Sequence, residues 1–228
     1  MKFNFFLYIL LIGFLFSCDK KQSIDPEKQI IKSTNDSTEI SILNPEIETL
    51  TNWINYYRNE VDSSFSLENF KLQSIEKLPK IKGSVYGIFD EHFDEIYKEF
   101  IVYSPNRQNY VDFDSYQWSF DSIKNQLVYE ADQEINLVKI FENKVERIGF
   151  RGPSYRVENA YWQNDSIIVL LENSSDKVPT INKIDINSMK ITTFNYQDTL
   201  KKASDFSNIR IKKKLKIYLE KDHTKLLD

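Results

Sequence analysis

Reactive side chains are scarce in this chain of 228 residues, which holds one cysteine, Cys18, and two histidines, His92 and His223. A serine triad or a multi-histidine metal site would draw on one of those imidazoles, and neither stands in a nucleophile or His-Glu-x-x-His setting. Gly83, Gly87, Gly149 and Gly152 do not form the glycine-rich loop that cradles phosphates. Two groups of carboxylates remain. In Asp90-Glu91-His92-Phe93-Asp94-Glu95, Asp90 and His92 offer oxygen and nitrogen to a divalent cation, but the spacing matches no calcium or zinc signature, and a solvated turn explains it better. Asp112 and Asp114 alternate with Val111 and Phe113 and would share one face of a strand, where paired carboxylates do acid–base work or hold sugars. The best recognition surface is Tyr155, Arg156, Tyr161 and Trp162 around Gly152-Pro153, because aromatic rings with an arginine anchor interfaces. Strand alternation sends Tyr161 and Trp162 to opposite faces, so at most one of them should face a core. None of these sets requires a cofactor. The expected role is therefore binding, with two alternatives: an enzyme working on glycans or peptides through carboxylates, and a small-ligand sensor with an aromatic pocket near Trp162.

Cys18 stands where an apolar run gives way to polar sequence. Lys2 supplies a positive start, and Phe3 to Phe16 is apolar apart from Asn4, the length of a secretory h-region. A membrane-spanning helix needs about 20 apolar residues, and Asp19-Lys20-Lys21 ends this run before that. Leu15-Phe16-Ser17-Cys18 resembles the lipobox of bacterial lipoproteins, with Phe16 standing where that family usually has a small residue. The resemblance implies that residues 1–17 are a signal peptide and that Cys18 becomes an acylated N-terminus. It also implies an anchor in the cell membrane or the outer membrane, with the domain outside the cytoplasm. Each buried CH₂ of such a lipid contributes about 0.8 kcal/mol, and two or more chains hold a protein stably on a bilayer.

Charge narrows the partners. The net charge of −4 is spread through interspersed acids and bases, unlike the one-sided basic footprint of a nucleic-acid binder. An envelope protein or a glycan is the expected partner, beside the membrane itself. Residues 18–44 are rich in Lys, Gln, Ser, Thr, Asn and Asp without helical or strand period, and read as a flexible tether. About 26 such residues span roughly 25–30 Å, enough to hold a domain clear of a bilayer surface.

A globular domain is expected over residues 45–228, entered through helical sequence at 45–79. Asn44 caps, Pro45 suits the first helical position, and Ile47, Leu50, Ile54, Tyr57 and Val61 recur on one face. Trp53 lies beside that face and should close it over a sheet. Leu67 to Leu78 carries both periods and is read as helix. From Gly83 the period becomes two, and strands are expected at 84–89, 95–103, 109–116, 126–130, 136–141, 145–150, 157–162, 166–172, 180–186 and 190–196, separated by turn formers. Ile209, Ile211, Leu215, Ile217 and Leu219 also alternate with lysines, which predicts a final edge strand and a meander over 83–219.

Trp118, Asp121, Ser122 and Ile123 recur as Trp162, Asp165, Ser166 and Ile167. Tyr103-Ser104-Pro105-Asn106 and Tyr161 to Val169 are similar to the Ser-Pro-Asp-Gly hairpins of TolB-like propellers, without the glycine. The smallest closed propeller needs roughly 160 residues at about 40 per blade, more than Gly83 to Tyr218 supplies. The expected fold is thus mainly β (α+β): an antiparallel meander of about 9–11 strands, made of propeller-like hairpins curled or folded into two layers, with an N-terminal helix.

Overall fold

The structure is a computed structural model that describes residues 47–224. The signal sequence, Cys18, the tether, and the Asn44 and Pro45 helix start lie outside the described residues. The fold is mainly β. Twelve strands, all paired antiparallel, form two five-stranded sheets and a separate hairpin, accompanied by two α-helices and without a closed ring among the described residues.

Helix α1 (Glu48–Tyr56) continues into one π-turn (Tyr57–Val61), where Asp62 N–H reaches Tyr57 O at 2.8 Å. The apolar face foreseen from the sequence points into the first core: Leu50, Ile54, Tyr57 and Val61 are buried, as is Trp53. That face covers the first sheet, made of β1 (Phe70–Lys77), β12 (Lys190–Tyr196), β11 (Thr180–Asp185), β10 (Ile167–Ser174) and β9 (Tyr155–Asn164), in that spatial order. The second sheet runs β2 (Ile81–Lys82), β8 (Lys144–Arg151), β7 (Gln133–Lys139), β4 (Asn109–Asp112) and β3 (Val102–Tyr103). A second core fills the space the two sheets share, with Ile168, Leu170, Ile184 and Trp162 from the first meeting Val111, Ile135, Leu137 and Ile148 from the second. The hairpin β5 (Trp118–Asp121) and β6 (Gln126–Tyr129) packs with helix α2 (Phe206–Thr224) over a third core.

Four local expectations are corrected. Leu67 to Leu78 is a single 3-10 turn (Leu67–Asn69), begun by Ser66 Oγ accepting from Glu68 N–H, followed by strand β1. Pairing from Phe70↔Tyr196 to Lys77↔Lys190 gives its backbone partners along β12, and a bulge after Leu72 turns Leu78 toward the second core while Phe70 stays in the first. Residues 84–89 form a loop rather than a strand, pinned where Ser84 N–H meets Glu134, Gly87 N–H meets Asp90 and Ile88 N–H meets Tyr110 Oη. The loop descends at Gly83, where a Cβ would lie 2.6 Å from both Asn136 Oδ1 and Val145 Cγ1. Residues 95–99 are 3-10 helix, because Asp94 Oδ1 accepts from Ile96 N–H and so caps a turn that buries Ile96 and Tyr97. Strand there is limited to β3.

The largest correction is at the C-terminus, where the expected edge strand is α2. Its buried positions Ser207, Arg210, Ile211 and Leu215 fall at helical steps of three and four. Ile209 and Ile217, which the alternation had placed on an apolar face, are 49% and 40% exposed. Ser204 Oγ accepts from Phe206 N–H and Asp205 O accepts from Ile209 N–H, which starts the helix.

Candidate functional site

A groove of about 500 Å³ opens along the inter-sheet face of the first sheet where the second core stops. Its position follows from register. Ile168, Ile184 and Ile191 stand abreast across β10, β11 and β12, and two residues along each strand the next row is Leu170, Asn182 and Thr193. The row after that is Glu172, Thr180 and Asn195. Side chains two apart share a face, so on the face that met the second sheet β11 and β12 change from apolar to polar at Asn182 and Thr193, and β10 follows one row later at Glu172. Arg151 at the end of β8, together with Glu76, Tyr155, Ser174, Asp176 and Val178, completes the lining.

The floor is fixed by mutual hydrogen bonds. Arg151 Nε and Nη2 donate to the two oxygens of Glu172 at 2.7 and 2.8 Å. Asn182 Nδ2 donates to Glu172 Oε1 at 2.8 Å, and Thr193 Oγ1 donates to Asn182 Oδ1 at 2.6 Å. Thr180 Oγ1 donates to Asn195 Oδ1 at 3.2 Å. Burial works against the Arg151 charge, but the Glu172 carboxylate more than offsets it and holds the guanidinium above its ordinary pKa. A bidentate arginine–carboxylate pair is a rigid planar element. Above it, Tyr155 is 50% exposed, and among the described residues Glu76 and Asp176 take part in no ion pair. The groove thus presents a planar charged pair, amides and hydroxyls, two available carboxylates and one aromatic ring.

The residues singled out from the sequence are dispersed. Tyr155 alone reaches this groove. Arg156 turns to the Tyr129 ring, its guanidinium carbon 5.8 Å from the centroid. Tyr161 enters the first core and Trp162 the second, with Trp162 Nε1 donating to Val102 O at 2.9 Å. The expectation that one of the pair would stay outside fails because β9 has a core on each face. Trp162 consequently provides no open aromatic pocket of the kind the sensor reading required.

The carboxylates expected to act together serve local structure. Asp90 Oδ2 accepts from Gly87 N–H at 2.6 Å, while His92 is exposed beside Glu91 and the Tyr86 ring. Asp112 ends β4 and accepts from Asp114 N–H, Ser115 N–H and Ser115 Oγ. Burial pushes its carboxyl above the ordinary range. Asp114 lies past the strand end, in the turn, so the two do not share a strand face. It is held bidentately by Arg210 at 2.9 and 2.7 Å and accepts from Trp118 Nε1 at 3.0 Å. Among the described residues no three His, Cys, Asp or Glu side chains are grouped to hold a metal ion. His223 is placed in the last turn of α2.

Sequence reasoning missed the buried charges. Glu158 on β9 accepts from Trp53 Nε1 at 2.8 Å, Tyr57 Oη at 2.7 Å and Ser204 Oγ at 2.5 Å, while Arg210 Nε donates to its backbone oxygen at 2.8 Å. Glu158 therefore joins α1, the first sheet and the start of α2. Glu172, an acid directly after the apolar run Ile167 to Leu171, was the visible signal for the groove.

No known protein family, curated protein or solved structure matches the chain. No helix among the described residues is long and apolar enough to cross a membrane.

Proposed function

We propose that the protein is a membrane lipoprotein, anchored through acylated Cys18, whose tethered β domain binds a hydroxyl-rich envelope component, a glycan, in the inter-sheet groove. The observation that carries this reading is the change of three neighbouring strands from apolar core to hydrogen-bonding floor. Such a change is costly unless the polar groups are satisfied, and here they are satisfied by one another. A rigid floor keeps the ordering cost of binding low. A sugar offers hydroxyls that both donate and accept, suited to Asn195, Glu76 and Asp176, and an apolar ring face suited to Tyr155. Glu172 is committed to Arg151 and Asn182, which favours holding a ligand over proton transfer. The lipobox-like Leu15 to Cys18 and the polar stretch 18–44 support the anchor and its tether.

Calorimetric titration with soluble peptidoglycan and polysaccharide fragments tests the reading. Tyr155→Ala should weaken binding about tenfold, the equivalent of about 1.4 kcal/mol. Binding indifferent to Tyr155→Ala and Thr193→Val, or turnover of the fragment, would contradict it.

A further inference from the structure

A second groove, of about 580 Å³, lies between hairpin β5–β6 and helix α2. Its walls differ in kind from those of the inter-sheet groove. Phe120 and Leu127 from the hairpin face Leu215 and Leu219 from the helix, and Lys212 and Lys216 stand on the rim one helical turn apart. Both lysines are exposed, as is Lys213 beside them. Glu220 is the acidic lining residue and sits 3.7 Å from Lys216, leaving Lys212 and Lys213 without a carboxylate partner among the described residues. At the hairpin tip the Ile123 side chain is 96% exposed. A protein of net charge −4 therefore has an apolar slot with a lysine rim, and an exposed aliphatic tip two residues from Asn125 in the lining of that slot.

We propose that this region binds an anionic phospholipid of the membrane, with an acyl chain in the Phe120–Leu219 groove, the phosphate at Lys212 and Lys216, and Ile123 entering the same leaflet. Charge complementarity selects this occupant. An apolar ligand alone leaves the lysine rim unused, and free phosphate leaves the groove unused, whereas an anionic amphiphile matches both. A basic helix with apolar side chains at its margin is the arrangement that lies on anionic bilayers. Contact of this kind would orient a tethered domain, which a flexible linker alone does not do. The inference does not depend on acylation of Cys18.

The test uses the intact chain carrying Ile123→Trp, added to vesicles of phosphatidylglycerol or of phosphatidylcholine, each with brominated acyl chains. The native Trp53, Trp118 and Trp162 are buried and give a constant background. Emission from position 123 should be quenched on phosphatidylglycerol and far less on phosphatidylcholine. Lys212→Glu with Lys216→Glu should reduce apparent affinity at least tenfold while lowering the unfolding temperature only slightly, since both side chains are exposed and the reversal costs only the Lys216–Glu220 pair and mild like-charge repulsion along the helix. Millimolar inorganic phosphate should not compete. Phe141→Trp, at the 80% exposed tip of a different hairpin, serves as the orientation control. Absence of quenching at 123, equal quenching at 123 and 141, insensitivity to the double charge reversal, or competition by free phosphate would each overturn the proposal.

Discussion

Replacing Glu158 by alanine should be among the most damaging single changes in the described region. Its carboxylate accepts from Trp53 Nε1, Tyr57 Oη and Ser204 Oγ at 2.8, 2.7 and 2.5 Å, and Trp53 and Tyr57 are fully buried. Each buried donor left without a partner costs about 1–3 kcal/mol. The three share one acceptor and do not add independently, so the expected loss is on the order of 4 kcal/mol. In a domain of this size about 1 kcal/mol moves the unfolding temperature by roughly 2–4 °C, giving a drop of about 8–16 °C. Urea unfolding followed by tryptophan fluorescence measures it, because Trp53 reports on the site. A loss below about 1 kcal/mol would refute the claim that Glu158 ties α1 to the first sheet.

The pH dependence gives a second reading of the same group. Burial pushes the Glu158 carboxyl above its ordinary pKa, against the pull of its hydrogen bonds and of Arg210. The folded state therefore holds the proton more tightly than the unfolded chain. That contribution is complete below the unfolded value of about 4.3 and is lost as pH rises through the folded value. The stability advantage of wild type over Glu158→Gln should accordingly be larger at about pH 4 than at about pH 8. An advantage that grows with pH would show that the hydrogen bonds outweigh burial.

Other perturbations address separate parts of the account. Arg210→Ala leaves Asp114 buried and unpaired, and should cost about 3–5 kcal/mol in chemical denaturation; a cost near zero would mean that Asp114 is held well enough by Trp118 alone. Gly83→Ala should destabilise the 83–94 loop, read as faster amide exchange at Ser84 and Ile88, because its Cβ would collide with Asn136 and Val145. Cys18→Ala should move the protein from the membrane fraction, or leave its leader uncleaved, on fractionation with intact mass measurement; unchanged membrane retention with normal processing would remove the lipid anchor.

Much of the fold can be read from the sequence, and the exceptions have physical causes. Strands β7 to β12 follow alternating or continuous apolar runs bounded by turn formers, and Asn143 is a residue type that admits the positive φ seen there. The α2 region misleads because isoleucine and leucine at 209, 211, 215, 217 and 219 satisfy period two as well as part of a helical face. Arg210 decides between them through its bonds to Asp114 and to the Glu158 backbone, contacts between residues far apart in sequence. Leu67 to Leu78 misleads for a related reason: its strand state rests on pairing with β12, more than a hundred residues later. Tyr161 and Trp162 are legible as facing opposite ways, but only the arrangement of layers shows that both ways lead into a core. The inter-sheet groove is the least legible feature. Glu172, Asn182 and Thr193 lie on three strands, and their convergence depends on register, which single-sequence alternation does not set.

Occupancy of the inter-sheet groove is tested most directly by photo-cross-linking in intact cells with a benzophenone amino acid at position 155, beside the Arg151–Glu172 floor. A bound glycan should give an adduct that disappears on Arg151→Ala and is absent when the probe stands at exposed Tyr86 instead. No adduct at 155, or the same adduct from both positions, would contradict a ligand in the inter-sheet groove.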